Sequence, residues 1–249
     1  MTGAHEELLA LALPLVAFWA CFGARMTRPD ARRRFRGRDA RAWALDATGL
    51  LAQGWVVPLG AGWLGRTLWA PLVPAGVLEV GWLGGLTISL VFVDLLYYLN
   101  HRLLHVAWPL HRVHHSAADM DVWVSARNTA WSTAFIVYPW ANSLFLHVLD
   151  APGGFLLGAA ITASLDLWRH SGLHGMGLAR LGLITPRQHA WHHGTERHDV
   201  NFGANWSWWD RLFGTFHDPG HDPTALGVPS GLSTWRELLW PFGGERGRA

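Results

Sequence analysis

Long apolar runs, rather than an alternation of apolar and polar positions, organise this chain. Residues 7–24, ELLALALPLVAFWACFGA, are nearly all apolar and about long enough to cross a bilayer. A cleaved signal segment would open on basic residues and close on small ones. The start MTGAHEE is acidic and a basic run follows the apolar stretch, so a retained membrane helix is expected. Residues 43–63 form a weaker second segment, interrupted by Asp46 and Gln53, and residues 80–99, VGWLGGLTISLVFVDLLYYL, form a third. Residues 130–149 and 152–168 make a pair joined by the turn Asp150-Ala151-Pro152-Gly153-Gly154; the pair is short and Gly-rich in its second half, as a re-entrant hairpin would be. The pattern predicts an all-α integral-membrane bundle of about 4–5 membrane segments. Along the chain it reads as 1–80, membrane helices and an Arg-rich loop; 81–216, a histidine-rich region with membrane helices of its own; and 217–249, a C-terminal tail. No linker splits these stretches into separate domains.

Composition agrees with a membrane environment. Half of the 249 residues are apolar and 15% are charged, against about a quarter charged in soluble domains. The 17 Trp suit a bilayer interface. All 20 basic residues are Arg, and eight of them fall between Arg25 and Arg41. A basic run can bind nucleic acid. This one lies between two apolar segments, so a membrane-flanking loop is expected and no nucleic-acid partner. The positive-inside rule places that loop in the cytoplasm. Counting segments onward returns the chain to the same side at His101–His115 and again at His170. The outer connections carry only Arg66, whereas 100–129 adds Arg102, Arg112 and Arg127. Cys21, the one cysteine, lies in an apolar stretch and offers neither a disulfide within the chain nor a thiolate metal site.

The chemistry is carried by histidine. Two words of the form His-x-x-His-His occur, HRVHH at 111–115 and HAWHH at 189–193. Each is preceded by a four-apart pair, HRLLH at 101–105 and HSGLH at 170–174. Residues three and four apart share a helical face, so each word is expected to gather its imidazoles within one turn. Thr185-Pro186-Arg187-Gln188 reads as a helix start, with Thr at the N-cap, Pro at N1 and Gln at N3. Trp108-Pro109 breaks the helix between the first two words.

The words supply ten candidate metal ligands: His101, His105, His111, His114, His115, His170, His174, His189, His192 and His193. Neutral rings packed together have no reason to stay, and protonated rings repel; a cation that accepts their lone pairs resolves both problems. His5, His147, His217 and His221 lie outside the words and are expected to be ordinary, as are Glu196 and His198 in a solvent loop. Imidazole suits zinc, copper, iron and nickel. A zinc site takes about four protein ligands, so ten suit two ions, each with room for a small molecule such as dioxygen. Asp94, seven before His101, and Asp166, four before His170, are candidates to fix metal-bound rings through their second N–H, as is Asn201.

In these residues the chain resembles the fatty acid hydroxylase superfamily, the integral-membrane group that includes sterol desaturases and lipid hydroxylases. The matching text is DLLYYLNHRLLHVAWPLHRVHHS at 94–116, RHSGLHGMGLARLGLITPRQHAWHH at 169–193 and NFGANWSWWDRLFGTF at 201–216. The resemblance implies a non-haem diiron oxygenase at a membrane face, with the ten His as ligands of two Fe ions, which Zn can replace. It implies that O2 and two electrons hydroxylate or desaturate an unactivated C–H bond of a lipid, such as a sterol or fatty acyl chain. No catalytic residue beyond the metal ligands is expected. The chain has no GxGxxG on a strand–helix unit, no CxxC and no haem motif. Electrons are therefore expected from a separate donor protein, a ferredoxin, a cytochrome b5-like protein or a reductase. The competing expectation is a His-rich membrane protein that binds or transports metal. Transport sites lie near the midplane and keep few ligands, because the ion must leave. A metalloprotease is disfavoured by the absence of HExxH. The site is expected to form a histidine-rich helical cap on the cytoplasmic face of the bundle.

Overall fold

The computed structural model describes residues 3–243. Those residues are helical, with no strand among them; isolated bridges pair Leu78 with Leu149, Leu183 with Trp206 and Gly194 with Leu226. Helix α1, Ala4–Met26, takes in the first predicted segment. Glu6 and Glu7 in its first turn and Arg25 in its last suit the helix dipole. Helix α2, Pro29–Arg36, begins on proline and ends on arginines. Helix α3, Ala40–Leu51, starts at Asp39, whose carboxylate accepts the Ala42 N–H at 2.7 Å.

The second predicted segment proves longer than its apolar stretch. Helix α3 passes through a π-helical turn, Ala52–Val56, into α4, Val57–Leu64, and then into a second π turn, Gly65–Trp69. Pro58 has no N–H to give back to the preceding turn, and the wide turn sits directly before it. The third segment is likewise one run: α5, Gly81–Thr87, a π turn at Ile88–Phe92, and α6, Val93–Val106. The fourth is shorter than 130–149. Residues Ser132–Phe135 form a 3-10 turn, and only α7, Val137–Val148, is α-helical. Its 12 residues reach about 18 Å, well short of a ~30 Å hydrocarbon layer. Helix α8, Gly153–His170, carries the fifth segment, and the short helices α9, Pro186–His192, α10, Trp208–Leu212, and α11, Thr234–Leu239, follow.

Among the described residues, two helices are long and apolar enough to cross a membrane: His5–Met26 and Gly81–Val106. Val93, Ala141, Leu149 and Phe155 bind α6, α7 and α8 into one core. The Arg-rich segment folds back onto the histidine-bearing end of the bundle. Arg25 donates to Gly172 O at 3.0 Å and Asp119 at 3.3 Å, and Arg38 donates to Asp121 at 2.8 Å. Phe22, Phe35 and Trp43 close around Trp123, so α1, α2 and α3 meet over one indole. A cavity of ≈ 390 Å³ lies between α4 and α7, lined by Trp63, Trp131, Trp140 and smaller apolar residues. No histidine lines it, so it is a surface groove separate from the chemistry-bearing residues.

Candidate metal centre

Helix α6 presents His101 and His105 one turn apart on the same face. Its last turn stops at Ala107, whose ψ of 48° turns the chain into the 3-10 segment Trp108–Leu110. The word HRVHH is not an α-helix: it runs through a turn into the 3-10 segment His114–Ser116. Helix α9 starts as its sequence predicts. Thr185 Oγ1 accepts the Gln188 N–H at 3.3 Å and Gln188 Oε1 accepts the Thr185 N–H at 2.9 Å. His189 and His192 follow within α9, with His193 at its C-cap.

Nine of the ten candidate rings gather into two groups. His101, His105, His111, His115 and His192 form one, and His114, His170, His189 and His193 form the other; within each group one nitrogen from each ring lies within 4.8 Å of those of the others. The expectation that each word converges as a unit is therefore corrected. In HRVHH the first and last rings enter the first group and the middle one enters the second; in HAWHH the division is reversed. The groups share a wall, where the His115 and His193 rings stack at 4.5 Å.

His174 joins neither group and is exposed. Helix α8 ends at His170, and Gly172 adopts φ +64, a left-handed conformation that glycine takes without steric cost. The four-apart spacing of HSGLH thus never becomes a helical turn, and one reason is the glycine inside it.

The ring nitrogens carry the chemical argument. His101 Nδ1 lies 2.9 Å from Phe202 O, His114 Nδ1 3.1 Å from Arg127 O, His170 Nδ1 2.9 Å from Asp166 O and His192 Nδ1 2.8 Å from Val200 O. A carbonyl only accepts, so each of these Nδ1 atoms holds the proton and each Nε2 presents a lone pair. His170 Nε2 nevertheless faces His114 Nε2 at 3.4 Å. Two lone pairs at that distance repel unless a cation lies between the rings. Further Nε2 pairs approach at 2.9 Å (His101 and His111) and 3.0 Å (His189 and His170). Both nitrogens of His115 and of His193, and Nε2 of His105 and His192, are buried without a hydrogen-bond partner. Unpartnered buried polar atoms are costly, and a bound cation would satisfy one nitrogen of each of these rings. Burial, reinforced by neighbouring imidazoles, holds His111, His115, His189, His192 and His193 well below the ordinary imidazole range and His114 down to about 3. The rings are thereby kept in the neutral form that binds metal.

The three candidate supporting residues have different partners. Asp166 meets His170 through its backbone carbonyl and, at 3.4 Å, its carboxylate. Asp94 reaches no histidine. Its carboxylate accepts the Asn205 N–H at 2.7 Å and the Trp209 Nε1–H at 2.8 Å, tying α6 to the segment leading into α10. Asn201 lies between two of the accepting carbonyls, at φ 53. Its amide donates to Gln188 O at 2.7 Å and His217 O at 2.8 Å, and its oxygen accepts the His217 N–H at 2.9 Å.

Sequence reasoning missed Asp199, which holds His105 Nδ1 at 2.9 Å from an exposed position. It also missed the carbonyls of Arg127, Val200 and Phe202, for which no side-chain letter gives a signal. His198, expected in a solvent loop, is half-buried at the edge of the first group, 6.1 Å from the His105 ring. Glu196 is exposed and binds Thr224, and His147 contacts Val73 O at 2.8 Å. His217 and His221 pack on Trp191.

A fatty acid hydroxylase family model matches residues 86–215, more than half of the chain. The chain is similar to alkylglycerol monooxygenase of Caenorhabditis elegans, 30% identical over 176 residues (67% of this chain and 34% of the relative). It is also similar to ornithine lipid hydroxylase OlsE of Rhizobium tropici, 34% identical over 166 residues (62% and 49%). Human alkylglycerol monooxygenase is 27% identical over 156 residues (60% and 34%). The chain thus spans between 34% and 49% of the length of these relatives. No solved structure matches it.

Proposed function

The chain belongs to the fatty acid hydroxylase family, and on that premise we propose that it is a membrane-bound non-haem diiron oxygenase that hydroxylates an unactivated C–H bond of a lipid. One observation carries the reading: two adjoining buried groups of five and four imidazoles whose lone pairs face one another. Each group would hold one ion. Five and four nitrogens leave positions open on a six-coordinate metal, which suits iron better than a closed structural zinc site. Two irons held there would supply the reduction of dioxygen and the cleavage of the C–H bond; zinc could occupy the same rings but, having no redox chemistry, could not supply either step.

The chain's own residues do the rest. Carbonyls of 127, 166, 200 and 202 fix four rings in the tautomer that points Nε2 inward. Burial of His101, His115, His170, His192 and His193, each 2% exposed or less, keeps water from the reacting atoms. The substrate would come from the bilayer. Leu11, Val16 and Trp19 on α1, Leu59 and Trp63 on α4, and Leu83 and Leu103 on the 81–106 run expose large apolar side chains. Such a belt needs a lipid environment. The relatives that act on alkylglycerols and ornithine lipids favour hydroxylation over desaturation and a polar-headed lipid over a sterol. The contacts of Arg25 and Arg38 with residues 119–121 and 172 support a cytoplasmic placement of the cap, because they put the Arg-rich segment at its side of the bundle. Electrons would arrive there from a separate donor protein.

The test has two arms. Protein purified anaerobically should hold about two irons per chain, and a count near zero with activity intact would refute the diiron reading. Lipid mass spectrometry of cells with and without the chain should show a lipid that gains one oxygen. Loss of two hydrogens instead would make the enzyme a desaturase.

A further inference from the structure

The second group of rings leans on a helix outside the family-matched residues. His114 belongs to that group, and its Nδ1–H donates to Arg127 O. The side chain of Arg127 is buried and engages Asp46 of α3 in a two-pronged pair, Nε to Oδ1 at 2.6 Å and Nη2 to Oδ2 at 3.0 Å. Asp46 is 0% exposed and also forms an ion pair with Arg38 Nη1 at 3.3 Å, without a hydrogen bond, while Arg38 Nη2 binds Asp121 at 2.8 Å. Two guanidinium groups and two carboxylates therefore balance in one buried chain, a geometry in which removing one partner strands another.

The helix behind this chain lies directly on the backbone it controls. A Cβ on Gly49 would stand 2.0 Å from Ala126 O and 3.2 Å from Arg127 N. Only glycine lets α3 approach so closely. Arg127 thus has two attachments in one residue, its side chain to α3 and its carbonyl to His114, and the first helps to hold the second in place.

We infer that Asp46 is a positioning residue for one of the two metal ions: through Arg127 it fixes the carbonyl that orients His114 and sets its tautomer. The inference rests on the two-ion reading above. It also assigns the ion, because the first group is oriented from elsewhere. His101, His105 and His192 use Phe202 O, the Asp199 carboxylate and Val200 O. Loss of the Asp46–Arg127 grip should weaken the ion held by His114, His170, His189 and His193 and spare its neighbour.

The experiment compares full-length wild type with Asp46→Asn and Asp121→Asn, purified in detergent and titrated anaerobically with ⁵⁷Fe(II). Bound iron per chain and Mössbauer spectra are measured, and circular dichroism checks the fold. Wild type should fill two environments. Asp46→Asn should keep one environment unchanged and bind the other iron at least about tenfold more weakly, the size of effect that outer partners of metal-bound His exert. Asp121→Asn, whose carboxylate binds Arg38 and the Trp123 N–H but not Arg127, should weaken the same ion by a smaller factor. It carries the test if Asp46→Asn fails to fold. Two ions at wild-type affinity in the folded variant would overturn the inference, and so would equal loss of both. A wild-type chain that binds no pair of ions would instead overturn the two-ion reading.

Discussion

Replacing Asn201 with alanine should damage the first metal site selectively. Asn201 makes three side-chain hydrogen bonds, a buried one to Gln188 O and part-buried ones with His217 O and the His217 N–H, and holds φ 53. Each bond is worth about 1 kcal/mol net. The left-handed backbone adds about 1 kcal/mol against alanine, which tolerates it less well than asparagine. The sum is about 3–4 kcal/mol of destabilisation. The neighbours of Asn201 matter more for function. Val200 O and Phe202 O orient His192 and His101, both in the first group. A loosened 200–202 turn should therefore lower affinity for that ion by about 10–100-fold. Thermal unfolding in detergent reads the first effect, and anaerobic metal titration reads the second. Asn201→Gly separates the causes, since glycine accepts the positive φ while losing the same three bonds. Glycine should recover only about 1 kcal/mol of the alanine loss. Wild-type metal affinity in Asn201→Ala, or full recovery in Asn201→Gly, would refute the reasoning.

Other outcomes follow from the same geometry. His114→Ala and His192→Ala each remove a ring from a different group and should each cost their own ion and bring hydroxylation to background; His174→Ala, exposed and outside both groups, should leave iron content unchanged. Thr185→Ala removes the cap of α9 and should lower stability by about 1 kcal/mol, read as a drop in melting temperature. The metal-free protein should lose stability as pH falls. The folded-state pKa values of six buried rings lie below the unfolded value of about 6.5. The unfolded chain therefore takes up protons first, so that stability is held above pH ~6.5 and drains below it, for His114 down to about pH 3. A melting temperature flat from pH 7 to 5 would contradict this.

What the sequence made legible was chemistry carried by side chains at short spacing. His101 and His105 sit on one helical face as their separation predicts, and the Thr185–Gln188 cap forms as written. The failures share a cause. HSGLH has the spacing of HRLLH, but a glycine with left-handed backbone ends the helix inside it. Asp46 looked like a flaw in an apolar segment because its partner is 81 residues away. Backbone carbonyls orient most of the rings whose tautomer is fixed, and a carbonyl has no letter. Asp94 is expected from its spacing to fix a metal-bound ring, but its donors are the Asn205 backbone N–H and an indole of α10 rather than an imidazole.

The way the two histidine words are divided also bears on why both must be present. His114 and His115 are consecutive and face different groups, as do His192 and His193. Consecutive Cα atoms are about 3.8 Å apart, and the two ring pairs have centroids 5.7 Å and 5.4 Å apart. The separation of the two sites is thus set by the covalent chain itself, twice over, from independent segments. Ions held by these adjoining groups would be neighbours, as two-metal chemistry requires. It follows that the backbone at this wall cannot move for one site alone. A shift of the 114–115 backbone displaces a ligand of each ion, whereas a shift of the Arg127 carbonyl or of the 200–202 turn reaches only one. Removing a single ring or its orienting partner can alter one ion without the other; moving the backbone at this wall cannot.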